Sequence, residues 1–269
     1  MIETHEYEGI IQIKMSRELN GSPVYWVAAY LVDGLLIDTG CSYTSGELAS
    51  FLTWKNLRMA VNTHYHEDHI GGNHDIMQKF GIDVFAHPDT VPLIAQKPTL
   101  YPYQEIAWGY PVPTTVRPIS GSIHTALHEF HIIETPGHCA GHIALMEMTK
   151  GWCFTGDIFA RGNPKFIRPE ENIGEIIKSC RLILREAGER LVLFTSVGKI
   201  IEDGRNALTS FIEYISNLAE KVQAMARNAR TIEEIINDEF GGEHDFAKFT
   251  DAQFSTRNLV RSLLEMKLQ

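Results

Sequence analysis

The chemistry-bearing residues concentrate in one run, Thr63-His64-Tyr65-His66-Glu67-Asp68-His69-Ile70-Gly71-Gly72. It follows a short apolar segment that reads as a strand, so His64 and His66, two positions apart, point the same way. Asp68 and His69 then fall on the turn that opens the next segment, and Gly71-Gly72 lets the backbone pass close by without a Cβ. Four ligand-type side chains in six positions can converge on one or two metal ions. A polar strand end with casual histidines is the competing reading. It is disfavoured because each buried imidazole or carboxylate would then need a partner of its own. Histidine is also crowded here: ten of the twelve lie between His64 and His142.

Three further segments accompany this run in order: Asp38-Thr39-Gly40, Thr135-Pro136-Gly137-His138-Cys139-Ala140-Gly141-His142, and Phe154-Thr155-Gly156-Asp157. With HxHxDH they resemble the metallo-β-lactamase superfamily over residues 24 to about 205. The C-terminal part resembles, more weakly, the extension of its glyoxalase-II-like and β-lactamase-like-protein-2 branch. The resemblance implies an αββα sandwich with His64, His66 and His138 as a first metal site. Asp68 and His69 would belong to a second site, with Asp157 bridging the two. Three neutral imidazoles with an open fourth position suit Zn²⁺, which lowers the pKa of its water to ~7. Asp68 would orient that hydroxide and receive a proton, as the catalytic residue.

One position departs from the family. Where a PGHG-type segment is usual, the chain reads Leu193-Phe194-Thr195-Ser196-Val197-Gly198-Lys199, which puts Val197 in place of the second site's last histidine. Valine cannot bind a metal, so one or two zinc ions are expected, the second weakly held unless another group such as His131 or Ser196 substitutes. The activity expected is hydrolysis of an ester, thioester, lactone or related small-molecule substrate. The rival from another class is a mononuclear non-haem iron oxidoreductase resembling the sulfur dioxygenases, with His64, His138 and Asp157 as two histidines and a carboxylate. A third is a metal-binding member of the fold without turnover.

Other side chains carry weaker expectations. Asp38 is expected to hydrogen-bond a ligand histidine from behind, against the simpler reading of a turn-forming aspartate. Arg161, Lys165 and Arg168 follow Asp157 closely and offer an anionic substrate group a partner, although a solvated loop carries the same charges. His142 is read as supporting its loop, Cys139 as a small buried residue, and His87, His124, His128 and His131 as surface or strand histidines. There is no GxSxG elbow, no phosphate loop and no GxGxxG.

The elements that must position these groups alternate along the first 200 residues, a mixed α/β (α+β) pattern. Strands are expected at Val24–Val32, Gly34–Asp38, Arg58–Asn62, Ile82–Ala86, Glu129–Glu134, Ile143–Met148, Trp152–Thr155 and Leu191–Thr195. Asp33-Gly34 makes a hairpin turn, and helices are expected near Ser42–Trp54 and Glu171–Glu186. From Asn206, Leu208, Phe211, Ile215, Leu218, Val222 and Met225 recur at helical steps. Thr231 and Glu234 fit a capping box, Gly241-Gly242 ends that helix, and a last one is expected from about Asp251 to Lys267. This organisation separates a domain over 1–205 from a helical extension over 206–269, which offers a surface for oligomer formation. The composition, 44% apolar and 22% charged over 269 residues, is that of a globular protein. A net charge of −10 argues against nucleic acid as partner. No apolar run approaches the ~18 residues of a membrane span. The acidic start shows no signal-peptide pattern, and the four cysteines form no CxxC pair, so a cytoplasmic location is expected.

Overall fold

The computed structural model describes residues 1–267. Two β-sheets face each other at its centre. The first has seven strands in the spatial order Ile2–Tyr7, Ile10–Met15, Val27–Val32, Leu35–Ile37, Met59–Val61, Asp83–Ala86 and Arg117–Pro118. Its first four strands pair antiparallel, and from Leu35–Ile37 onward the pairing is parallel. The second has six strands in the order Ile123–His124, Glu129–Glu134, Ile143–Glu147, Trp152–Gly156, Val192–Thr195 and Ile200–Ile201. Within it only Trp152–Gly156 and Val192–Thr195 run parallel.

Between the sheets lie Tyr30, Val61, Phe130, Leu145, Phe154 and Phe194, all buried. The long apolar runs of Val27–Val32 and Trp152–Gly156 follow from burial on both faces. Helices Ser45–Phe51 and Asn73–Phe80 cover the outer face of the first sheet through Leu48, Leu52 and Ile76. On the second sheet, helices Ile173–Glu186, Gly204–Arg227, Ile232–Phe240 and Thr256–Glu265 do the same. The architecture is thus an αββα sandwich. One hydrophobic cluster joins Cys153 and Leu193 of the second sheet to Leu208, Ile215, Ile235 and Leu259, so it runs across residues 205 and 206.

Local signals explain most boundaries. Asp33 and Gly34 adopt φ 45° and 81°, the double left-handed turn that matches hairpin twist. Asn172 caps its helix by accepting from the Glu175 amide at 3.0 Å. Thr231 and Glu234 form a reciprocal capping box, and Gly241, with φ 74°, ends that helix. The expected final helix starts later than its composition suggests. Asp251 and Ala252 have positive φ, so the chain makes a short helix at Phe246–Phe249 and begins the last one only after the Ser255 cap. The exposed N-terminal strand Ile2–Tyr7 and the two-residue strands at 117–118 and 123–124 escaped the sequence pattern, and so did the largely buried Ile10–Met15. No helix among the described residues is long and apolar enough to cross a membrane.

Candidate metal centre

Five strands deliver their ends to one edge of the sandwich. Leu35–Ile37 leads into Asp38, Met59–Val61 into His64 and His66, Glu129–Glu134 into His138, Trp152–Gly156 into Asp157, and Val192–Thr195 into Ser196 and Val197. The two sheets are tied at this edge by Ile143 N–H donating to Thr63 O at 2.9 Å and Ala28 N–H donating to Ser196 O at 2.6 Å. His66 precedes the short helix Glu67–Ile70, which carries Asp68 and His69. The following Gly71 is required by contact: a Cβ there would lie 2.3 Å from Ser42 N and 2.4 Å from Cys41 C.

The edge holds two overlapping groups of potential ligand atoms, each lying within 4.8 Å of one another. They are His64, His66, His138 and Cys139, and His64, His69 and Asp157. His138 Nε2 is 2.9 Å from His66 Nδ1 and 3.5 Å from Asp157 Oδ2. His69 Nε2 is 3.3 Å from Asp157 Oδ1 and 3.9 Å from Asp68 Oδ2. His64, His66, Asp68, His69 and His138 are all buried.

His64, His69 and His138 are each aimed by a partner behind the ring. Asp38, at φ 60°, a conformation aspartate tolerates better than most residues, accepts from Thr63 N at 2.8 Å and from Thr63 Oγ1 at 2.8 Å. The same carboxylate is 2.7 Å from His69 Nδ1. Because the Thr63 hydroxyl donates to Asp38, it can only accept from His64 Nδ1–H at 3.0 Å, which leaves His64 Nε2 as a lone pair facing the cluster. His138 Nδ1 is held by Glu171 Oε1 at 2.5 Å. His142 is occupied on both sides: its Nε2 accepts from the Asp157 amide at 3.0 Å and its Nδ1 meets Thr135 Oγ1 at 2.8 Å. It therefore positions Asp157, and a Cβ on Gly156 would lie 2.6 Å from its Nε2.

The carboxylates of the site favour positive charge between them: although burial opposes it, Asp157 and Glu171 raise the His138 pKa above its usual range. Burial and the neighbouring imidazoles push the His64 pKa well below its usual range, and burial and Arg168 do the same to His66, leaving both neutral. His69 goes the other way: although burial opposes its charge, Asp38, Asp157 and Asp68 raise it well above the ordinary value. Burial would raise Asp157, but His69 and His138 hold it well below the usual carboxylate range. Burial raises Asp68. The fit of a metal rests on this donor set together with unpartnered atoms. His64 Nε2 and Asp68 Oδ1 are buried with no hydrogen-bond partner, and His69 Nε2 meets only the carboxylates of Asp157 and Asp68. Uncompensated buried donors and acceptors of this kind are costly unless an ion or water meets them.

Beside the centre opens a cavity of about 740 Å³, whose lining includes Asp68, His138, Asp157, Ser196 and Val197. Val197 contributes only its isopropyl group there, and the neighbouring Ser196 Oγ is buried without a partner. Of the three expected basic residues, Arg161 and Arg168 line the cavity and Lys165 does not. Arg168 is buried, 4.9 Å above the Phe254 ring and 3.9 Å from Glu170 Oε1. His131 lies on the strand Glu129–Glu134, paired with Met146, and is not among the ligand groups. Two contributors escaped sequence reasoning. Glu171 lies 33 residues beyond His138, and nothing local marks it. Asn62 and Asn73 bond one another at 2.8 and 3.1 Å beneath the HxHxDH turn, a pairing that only the fold creates.

Comparisons with known proteins bear on the family and the fold. The family model of the metallo-beta-lactamase superfamily matches residues 26–228. A probable metallo-hydrolase of Bacillus subtilis is 28% identical over 157 residues, 56% of this chain and 70% of that protein. A hydroxyacylglutathione hydrolase of Halorhodospira halophila is 32% identical over 133 residues, 46% of this chain and 44% of its own length. The chain thus spans less than half of that relative. A beta-lactamase domain protein from Burkholderia ambifaria superposes with a TM-score of 0.71 at 16% identity, covering 97% of this chain and 88% of that one. That likeness speaks for the fold, including the C-terminal helices. The chain belongs to the metallo-beta-lactamase superfamily.

Proposed function

We propose that the protein is a metal-dependent hydrolase that cleaves an ester, thioester, lactone or related carbonyl compound. The observation that carries this reading is the cluster of buried ligand atoms on His64, His66, His69, His138 and Asp157, with partnerless atoms on His64 and Asp68, beside a cavity that Asp68, His138 and Asp157 line. His64, His66 and His138 would hold one zinc ion, as neutral imidazoles suit it. Asp68, His69 and Asp157 would hold a second ion less firmly, because Val197 offers no ligand. When bound, zinc supplies Lewis acidity and brings the pKa of water to ~7.

The chain's own residues do the rest. Asp38 and Glu171 hold His69 and His138 by their Nδ1 atoms, so that both Nε2 atoms face the centre. His142 fixes the Asp157 backbone. Asp68, at the cavity floor with a free oxygen, orients the attacking water and takes its proton. Arg161 and Arg168 stand where an anionic part of the substrate can meet them. The named activity of the Halorhodospira halophila relative makes thioesters the first substrates to try.

The test is a panel of small thioesters, esters and lactones offered to zinc-loaded protein and to protein treated with a chelator. Turnover that disappears with the metal and returns with added zinc supports the reading. A zinc-loaded protein inert towards all three classes contradicts it. Stoichiometric iron in protein purified without added metal would favour the oxidoreductase, whose two histidines and carboxylate are also present.

A further inference from the structure

The cavity beside the metal centre has an aromatic wall assembled from four separate parts of the chain. Tyr25 packs edge-on against Trp108 at 5.6 Å between ring centroids, and Trp108 against Tyr103 at 6.2 Å. Tyr103 meets Phe254 at 5.9 Å, and Phe254 meets Phe246 and Phe166 at 5.7 and 5.8 Å. These six rings form one continuous surface, and all of them line the cavity. Five are only half-buried, which for a ring already packed on its outer side means an apolar face turned to open space. The C-terminal part of the wall is held in place. Glu243 accepts from the amides of Thr256 and Arg257 at 2.5 and 3.1 Å, and Ile167 pairs with Ser255.

Polar features in the wall are few and specific. Trp108 Nε1 and Arg168 Nε are buried donors without an acceptor. A volume of about 740 Å³ lies within the ~300–1,000 Å³ of small-molecule sites. The C-terminal segment already covers the rings on one side, which leaves room for a small ligand and not for a protein surface.

We infer that this cavity is an acyl-binding site, and that the substrate is an ester or thioester whose acyl group carries an aromatic ring or a comparably bulky apolar group. The carbonyl would lie at the floor near Asp68, His138 and Asp157, with the ring against Tyr25, Trp108 and Phe254. An acceptor oxygen on the ligand would meet the donors of Trp108 and Arg168. This assignment rests on the hydrolase reading for the reaction but not for the binding, and the two separate in the test.

The full-length chain, with and without zinc, is titrated with 4-phenylbutan-2-one and with acetone, both uncharged and neither hydrolysable, by ligand-observed NMR. In parallel, zinc-loaded protein is given the 3-phenylpropanoyl and acetyl thioesters of N-acetylcysteamine. The phenyl ketone should bind roughly 10- to 100-fold more tightly than acetone, the value of burying a benzyl-sized group. The same ratio should appear in kcat/KM. Phe254→Ala should weaken binding of the phenyl ketone, and Ala160→Phe, which fills the lining from a half-buried loop position, should abolish it while the far-UV spectrum stays unchanged. A phenyl ketone bound no better than acetone overturns the assignment, even where the acetyl thioester is cleaved and the hydrolase reading stands. Tight, Ala160→Phe-sensitive binding without cleavage of either thioester supports the site, and with the ester and lactone panel also inert it overturns the hydrolase reading instead.

Discussion

At the donor edge three of the ligand-type rings have a second side chain behind them: Asp38 behind His69, Thr63 behind His64, Glu171 behind His138. At the aromatic wall, by contrast, Tyr25, Tyr103, Phe246 and Phe254 are held by ring-to-ring packing, with few hydrogen bonds. The floor is rigid in direction and rich in charge. The wall is permissive in direction, and its charge comes from Arg161 and Arg168 over the Phe166 and Phe254 rings. Directional chemistry needs the first kind of construction, since an imidazole turned the wrong way is no ligand. Burial of an apolar group needs only the second. Substitutions in the two regions should therefore differ in what they disturb.

The largest effect is expected from His138→Ala or His66→Ala. Either removes one of three imidazoles from the first ligand group, so metal retained after dialysis should drop to background and turnover with it. Full metal retention in either variant would remove these residues from the centre. Asp68→Asn should keep most of the metal and lose about 10²- to 10⁴-fold in turnover, since the amide keeps the shape without accepting a proton. A loss under tenfold counts against the role given to Asp68.

Glu171→Gln comes next. An amide can still accept from His138 Nδ1–H but no longer carries the charge, and zinc affinity should fall about 10- to 100-fold, read by competition with a chromophoric chelator. Unchanged affinity would make Glu171 a packing residue. Phe254→Ala sharpens the contrast from the other side: metal content should match the wild type, while only bulky acyl substrates lose rate. The smallest change is expected from Val197→His, which should raise the zinc retained after dialysis above the wild-type level by adding an imidazole beside Asp68, His69 and Asp157. No increase would mean that Val197 does not stand at the second position.

Legibility in the sequence followed the same division. His64, His66, Asp68 and His69 lie within six positions and could be read together, and Asp38, His138 and Asp157 were reachable through motifs that surround them. The alternation in Glu129–Glu134 and the Thr231–Glu234 box are local signals, and the elements lie where those signals put them. Glu171 was not legible, because its meeting with His138 depends on how Ile173–Glu186 docks on the second sheet. The aromatic wall was even less so. Phe254 falls inside the terminal helix expected from Asp251 and Phe246 before it, whereas positive φ at Asp251 and Ala252 delays that helix until after Ser255, with both rings lining the cavity. Long-range packing of this kind leaves no periodic trace.

The central claim is that the donor edge holds a metal ion tightly. Plasma emission spectroscopy on wild-type protein, purified without chelator and dialysed exhaustively, tests it most directly. Close to one zinc ion per chain, with a second retained only partly, is the result this account predicts. A wild-type protein that retains no metal and does not take up added zinc would contradict it.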